Sequence, residues 1–97
     1  MIKTLLIKKK YYEEIKKGLK NVEYRAYTPY FKKLFKIKPD FIKFHFQGRT
    51  HIYATVIEIR VIKPSKFLKN QAKRDGIKIG NKLFRIVLGK IITKKEL

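Results

Sequence analysis

The segment from His51 to Ile62 limits the fold more than any other stretch of this chain. It carries apolar residues on both parities, with Ile52, Ala54 and Val56 on one face and Tyr53, Ile57 and Ile59 on the other. Successive strand residues point to opposite sides, so a strand apolar on both faces must be covered on both. A closed barrel with flanking helices provides that cover better than an open sheet. Shorter strand-like segments surround it. Thr4 to Ile7 is one, and Asn21 to Tyr27 is another, with Val22 and Tyr24 predicted to face the core and Glu23 and Arg25 the other side. Phe41 to Gln47 places Ile42, Phe44 and Phe46 inward and Lys43, His45 and Gln47 outward, and Gly48-Arg49-Thr50 makes the turn into the long strand. Lys82 to Ile92 closes the series, with Gly89 marking a bend or bulge.

Helical spacing and terminal signals place three short helices between these strands. Tyr11 to Lys17 has Glu13 and Glu14 early, Lys16 and Lys17 late, and Gly18 just past its end, an order that suits the helix dipole and supplies a terminating glycine. Thr28-Pro29 is a threonine cap followed by a first-turn proline, and Phe31, Leu34 and Phe35 form the apolar stripe of a helix ending near Phe35. Pro64-Ser65 opens a third helix running to about Lys73. Asp75-Gly76 and Gly80-Asn81 read as turns around Ile77 to Ile79. The order β-α-β-α-β-β-α-β(β), with a further strand allowed at the end, predicts an α+β fold: a small barrel of about five to six mixed strands with two to three short flanking helices. Residues 1–97 form a single domain, since no linker, repeat or low-complexity stretch divides the chain.

Charge then narrows the function. Lysine and arginine total 26 against 7 acids, a net charge of +19. AT-rich codon usage and high-temperature adaptation would each raise glutamate along with lysine, and glutamate is scarce. So large a self-repulsion points to a polyanionic partner. Only five of the 26 bases are arginines (Arg25, Arg49, Arg60, Arg74 and Arg85). Lysine is a flexible point charge suited to phosphates rather than to bidentate reading of base edges, so most of this charge contributes backbone affinity. The run Lys8-Lys9-Lys10 is a candidate phosphate contact. With no cysteine there is neither a disulfide nor a thiolate metal site. His45 and His51 lack a third ligand at metal-like spacing, Ser65 reads as a helix cap rather than a nucleophile, and no cofactor is expected. No apolar run approaches the roughly 18 residues that cross a bilayer, and the start MIKTLLIKKK is too short for a signal peptide. The chain is therefore expected to be soluble and cytoplasmic, with no membrane partner. Nothing in the sequence fixes an oligomeric state.

Gly18-Leu19-Lys20-Asn21-Val22-Glu23-Tyr24-Arg25 concentrates ionisable groups at a helix-to-strand junction. Lys20 lies in the turn, and Glu23 and Arg25 share one strand face. Glu23 can orient either cation, and the two cations can grip an anionic or carbonyl-bearing ligand. By spacing alone the trio also reads as an ordinary surface ion pair. Written as GxKxxExR, the segment resembles the signature of the ASCH family, a PUA-like barrel group linked to RNA. The likeness extends to LLIKKKYYEEIKK at the start, to Glu23-Tyr24-Arg25 with Thr28-Pro29-Tyr30-Phe31, and to FRIVLGKII at the end, and it is thin from Pro64 to Asn81.

The resemblance implies a PUA-like barrel with a cleft in which Lys20, Glu23 and Arg25 meet RNA or another nucleic acid. Tyr27 and Tyr30 beside the motif become stacking candidates. Other family members are assigned hydrolytic chemistry on acylated cytidine or on RNA. In the amidohydrolase branch the lysine corresponds to Lys20, but a threonine nucleophile stands where this chain has Glu23, and Glu58 and Asp75 are acids that follow later, before the tail. The alternatives are therefore an RNA-binding module, a small nucleoside or RNA hydrolase in which Lys20 and Glu23 are catalytic, and a basic accessory protein of a ribosome or phage nucleoprotein.

Overall fold

The computed structural model describes residues 1–46 and 50–92. Five strands and three helices follow one another as β1 (Ile2–Leu6), α1 (Lys9–Lys16), β2 (Val22–Ala26), α2 (Pro29–Leu34), β3 (Phe41–Phe46), β4 (Thr50–Ile62), α3 (Lys66–Arg74) and β5 (Leu83–Ile92). The strands form one mixed sheet in the order β1-β3-β4-β5-β2. β1 runs parallel to β3, and the other pairs are antiparallel. The sheet curls into a half-barrel whose edges are β1 and β2. Among the described residues these edges share no backbone ladder, so the predicted closure does not occur. Of the predicted Gly48-Arg49-Thr50 turn, Gly48 and Arg49 lie outside the described residues, as do Gln47 and the Lys94-Lys95 tail. Ile77 to Ile79 forms no strand. No helix among the described residues is long and apolar enough to cross a membrane.

The absence of closure traces to a misleading pattern in β4. Ile52, Ala54 and Val56 are buried on the concave face. The register then shifts between Val56, opposite Leu88, and Glu58, opposite Val87, so Ile57 is an extra residue in the ladder. Beyond it the core-facing parity changes: Ile59 lies opposite buried Ile86, and Ile57 is 62% exposed. An inserted residue sends the apolar set to the other parity without any second layer. Of the residues read as a second apolar face, Tyr53 alone is buried. A second register shift separates Ala54, opposite Ile91, from Val56. There Thr55 Oγ1 accepts the Lys90 N–H at 2.8 Å, and a Cβ on Gly89 would collide with that same oxygen. The bend at Gly89 thus exists because only a glycine lets the two strands approach so closely.

One apolar cluster fills the concave side, joining Leu5 and Ile7, Tyr12 and Ile15 of α1, Phe35, and the inward residues of β3, β4 and β5. Ile15, Ile42, Phe44 and Ile86 are wholly excluded from solvent, each worth roughly 1.5–3 kcal/mol of burial. Local signals end the helices as the sequence predicts. Thr28 Oγ1 accepts the Phe31 N–H and Ser65 Oγ accepts the Leu68 N–H, both at 3.2 Å. Gly18, at φ 75°, closes α1: its N–H bonds Ile15 O while the Leu19 N–H bonds Glu14 O. That reversal delivers the chain to Lys20 and β2, and so sets the position of the site.

Candidate functional site

β2 alternates as predicted, but its faces are exchanged. Glu23 lies opposite Ile86 and Arg25 opposite Phe84, both core residues, whereas Val22 and Tyr24 lie opposite Val87 and Arg85 on the convex side. Glu23 is 7% exposed, the one buried charged residue among the described residues, while Val22 is only half-buried. An edge strand of an open half-barrel can carry charge inward because its concave face meets a groove rather than a sealed core.

Glu23 organises that face. Its Oε1 accepts the Tyr24 N–H at 3.0 Å and lies 3.7 Å from Lys20 Nζ. Its Oε2 accepts from Arg25 Nη2 at 3.1 Å. The same Arg25 nitrogen donates to Leu6 O at 3.0 Å, so one guanidinium straps the β2 edge to the β1 edge across the open seam. The guanidinium carbon stands 5.9 Å from the Phe31 ring centre, and Lys20 Nζ stands 5.1 Å from that of Tyr11. Each cation therefore has the Glu23 carboxylate on one side and an aromatic ring on another, an arrangement that fixes both without consuming all their donors.

A second link joins α1 to the end of α3. Tyr11 Oη donates to Asp75 Oδ2 at 2.6 Å, and Lys8 Nζ donates to Asp75 O at 3.3 Å. The hydrogen bond to Asp75, followed by burial and the nearby charges of Asp75, Glu14 and Glu23, pushes the Tyr11 phenol up to about 12. The same bond holds the Asp75 carboxyl below the usual carboxylate range, aided by Lys8, Lys10 and Arg74 and opposed by desolvation.

Two adjoining hollows meet at this network. A groove of about 710 Å³ along the seam is lined by Leu6 to Lys9, Tyr11, Glu23 to Ala26, Phe31, Phe46 and Ile77. A smaller one, of about 120 Å³, lies toward α3 and is lined by Lys20, Gln71, Asp75 and apolar residues; Tyr11, Glu23 and Tyr24 line both.

Of the residues singled out from sequence, Lys20, Glu23, Arg25, Lys8 and Lys9 come together here. Lys10 sits 5.5 Å from the Tyr11 ring centre without lining either hollow. Tyr27 and Tyr30 line neither. Tyr27 packs on Phe84 at 5.2 Å between ring centres, and Tyr30 is 63% exposed, edge-on to Phe31. Gln71 is not singled out by the sequence, and Asp75 is read there only as a turn residue and a later acid; α3 brings both in from the other end of the chain, and no local motif announces that. The His45 and His51 rings are 5.9 Å apart, and no group of three metal-binding side chains occurs among the described residues. Ser65 is a helix cap.

Chemically, the site is a held pair of cations beside aromatic faces. Both Glu23 oxygens are already engaged, and Tyr11 stays protonated at neutral pH. It is better equipped to bind an anion with a planar group than to abstract a proton.

No protein-family model matches the sequence, and comparison with curated proteins finds no match. Among solved structures, the crystal structure of the hypothetical protein PH0355 superposes on 95% of this chain and 100% of its own, with a TM-score of 0.61 and 21% sequence identity. At that identity the likeness is one of fold, the curled mixed sheet with its helices.

Proposed function

We propose that this protein binds RNA in the seam groove and the hollow adjoining it, with Arg25 in the groove and Lys20 in the hollow contacting phosphate or base and Glu23, which lines both, holding them in place. The observation that carries the reading is the buried Glu23 carboxylate, bonded to Arg25 at 3.1 Å and paired with Lys20 at 3.7 Å where the groove and the smaller hollow meet. Lys8 and Lys9 extend the positive lining, and the net charge of +19 supplies long-range attraction for a polyanion. The GxKxxExR likeness to the ASCH family, together with the barrel-like curl of the sheet, supports RNA over other polyanions. Tyr11, which lines both hollows, takes the stacking role first assigned to Tyr27 and Tyr30. The hydrolase reading draws less support, because both Glu23 oxygens are committed to the Tyr24 N–H, Lys20 and Arg25.

The test is an equilibrium titration of labelled single-stranded RNA against the native protein and the Lys20→Ala and Arg25→Ala variants. Loss of a charge-assisted contact should weaken binding by about 1–3 kcal/mol for each variant. Native affinity in both folded variants would refute the groove assignment.

A further inference from the structure

We infer that Tyr27, Lys32 and Lys82 form a second phosphate-binding site, outside the groove, that takes a phosphodiester further along the same RNA. The inference rests on the RNA-binding reading and extends it. Three elements converge there. Tyr27 follows the last residue of β2, Lys82 precedes the first residue of β5, and the pairing of Ala26 with Leu83 brings Tyr27 and Lys82 together at the next step of the antiparallel ladder. Lys32 reaches the same ring from α2, one turn after the Thr28 cap, where its N–H bonds Thr28 O. Lys32 Nζ stands 4.4 Å from the Tyr27 ring centre and Lys82 Nζ 5.4 Å from it.

The charges around this ring are unbalanced. Among the described residues neither ammonium forms an ion pair or hydrogen bond, and the Tyr27 hydroxyl has no partner either. The acids that do make partners are engaged elsewhere: Asp40 with the chain's amino terminus, Asp75 with Tyr11, Glu23 in the groove and Glu58 with Arg60. One ammonium over a tyrosine is a favourable contact, but a second at the same ring adds like-charge repulsion that an anion would relieve. A phosphodiester between the two lysines, accepting the free phenolic hydrogen, satisfies all three groups. Packing against Phe84 holds the ring in place, so the site is pre-positioned.

Oligouridine of two lengths, a tetranucleotide and a dodecanucleotide, separates this site from the groove. The variants are the Lys32→Ala/Lys82→Ala pair, Tyr27→Phe, the groove variant Lys20→Ala, and a charge-matched Lys66→Ala/Lys69→Ala control on α3, each checked for its fold by circular dichroism. The Lys32/Lys82 pair should weaken the dodecanucleotide about tenfold, as loss of a charge-assisted contact does. It should also flatten the log–log salt slope by about 0.7, the contribution of one phosphate on a single strand. Tetranucleotide binding should be unchanged, and the control should alter neither. Tyr27→Phe should give a smaller loss confined to the longer RNA. If the Lys32/Lys82 pair matches the control while Lys20→Ala weakens both lengths, the second site is refuted and the groove stands. If the pair weakens the longer RNA but Lys20→Ala changes nothing, the groove assignment fails and the second site stands. Absence of binding at either length overturns both.

Discussion

Replacing Glu23 by glutamine changes one charge and almost no volume, and so isolates what the carboxylate does. Glu23 is 7% exposed, and its partners Lys20 and Arg25 have side chains only 18% and 19% exposed. Removing one member of a buried pair costs about 3–5 kcal/mol, because the remaining charge stays desolvated. Here the groove admits some water to both cations, which lowers the expectation to about 2–3 kcal/mol. For a chain of this size each kcal/mol moves the midpoint by about 4–8 °C, so Tm should fall by about 10–20 °C. Thermal melts followed by circular dichroism measure this directly. Repeating them with single-stranded RNA adds a second readout: phosphates would take over the carboxylate's neutralising role, so RNA should raise Tm more for the variant than for the native chain. A fall of less than about 3 °C, with no extra rescue by RNA, would make the trio an ordinary exposed ion pair and refute the reasoning.

Two further outcomes follow from the same structure. The Tyr11–Asp75 link should be sensitive to alkali. With the phenol raised from 10.0 to about 12, its stabilising contribution is fully present below pH 10 and lost as pH rises through about 12. Tyrosinate absorbance against pH should show late titration from Tyr11 and from Tyr12, whose phenol burial pushes up, and Asp75→Asn should bring only Tyr11 back toward the ordinary range; late titration unchanged by Asp75→Asn would remove the link. Gly89→Ala should cost about 1–3 kcal/mol through collision with Thr55 Oγ1, and Thr55→Ala in the same chain should recover part of it. Equal urea midpoints for Gly89→Ala and the native chain would show that the strands can separate there freely.

Features set within a few residues were legible in the sequence. The Thr28 and Ser65 caps, the Gly18 terminator and the bend at Gly89 depend on local backbone geometry, and each occurs where its signal stands. The convergence of Lys20, Glu23 and Arg25 was legible for the same reason, since a turn and two alternate strand residues define it. Which way β2 faces was not. Alternation gives the two faces but not which one the sheet turns inward, and an open edge lets Glu23 and Arg25 take the concave side where a sealed barrel would demand Val22 and Tyr24. The bulge at Ile57 misled in a related way, since a parity change within one strand looks the same as two covered faces. The link from Tyr11 to Asp75 spans 64 positions, and no pattern of residues foretells such a contact.

Backbone amide NMR during an RNA titration tests the proposed RNA site most directly. With a single-stranded oligonucleotide added stepwise, the largest shifts should fall on 6–11, 20–26 and 71–77, which line the two hollows. Smaller shifts should appear at Tyr27, Lys32 and Lys82 only when the RNA is long enough to reach them. Shifts spread evenly over lysines on every face, or centred on the convex side of β4 around Arg60, would contradict it.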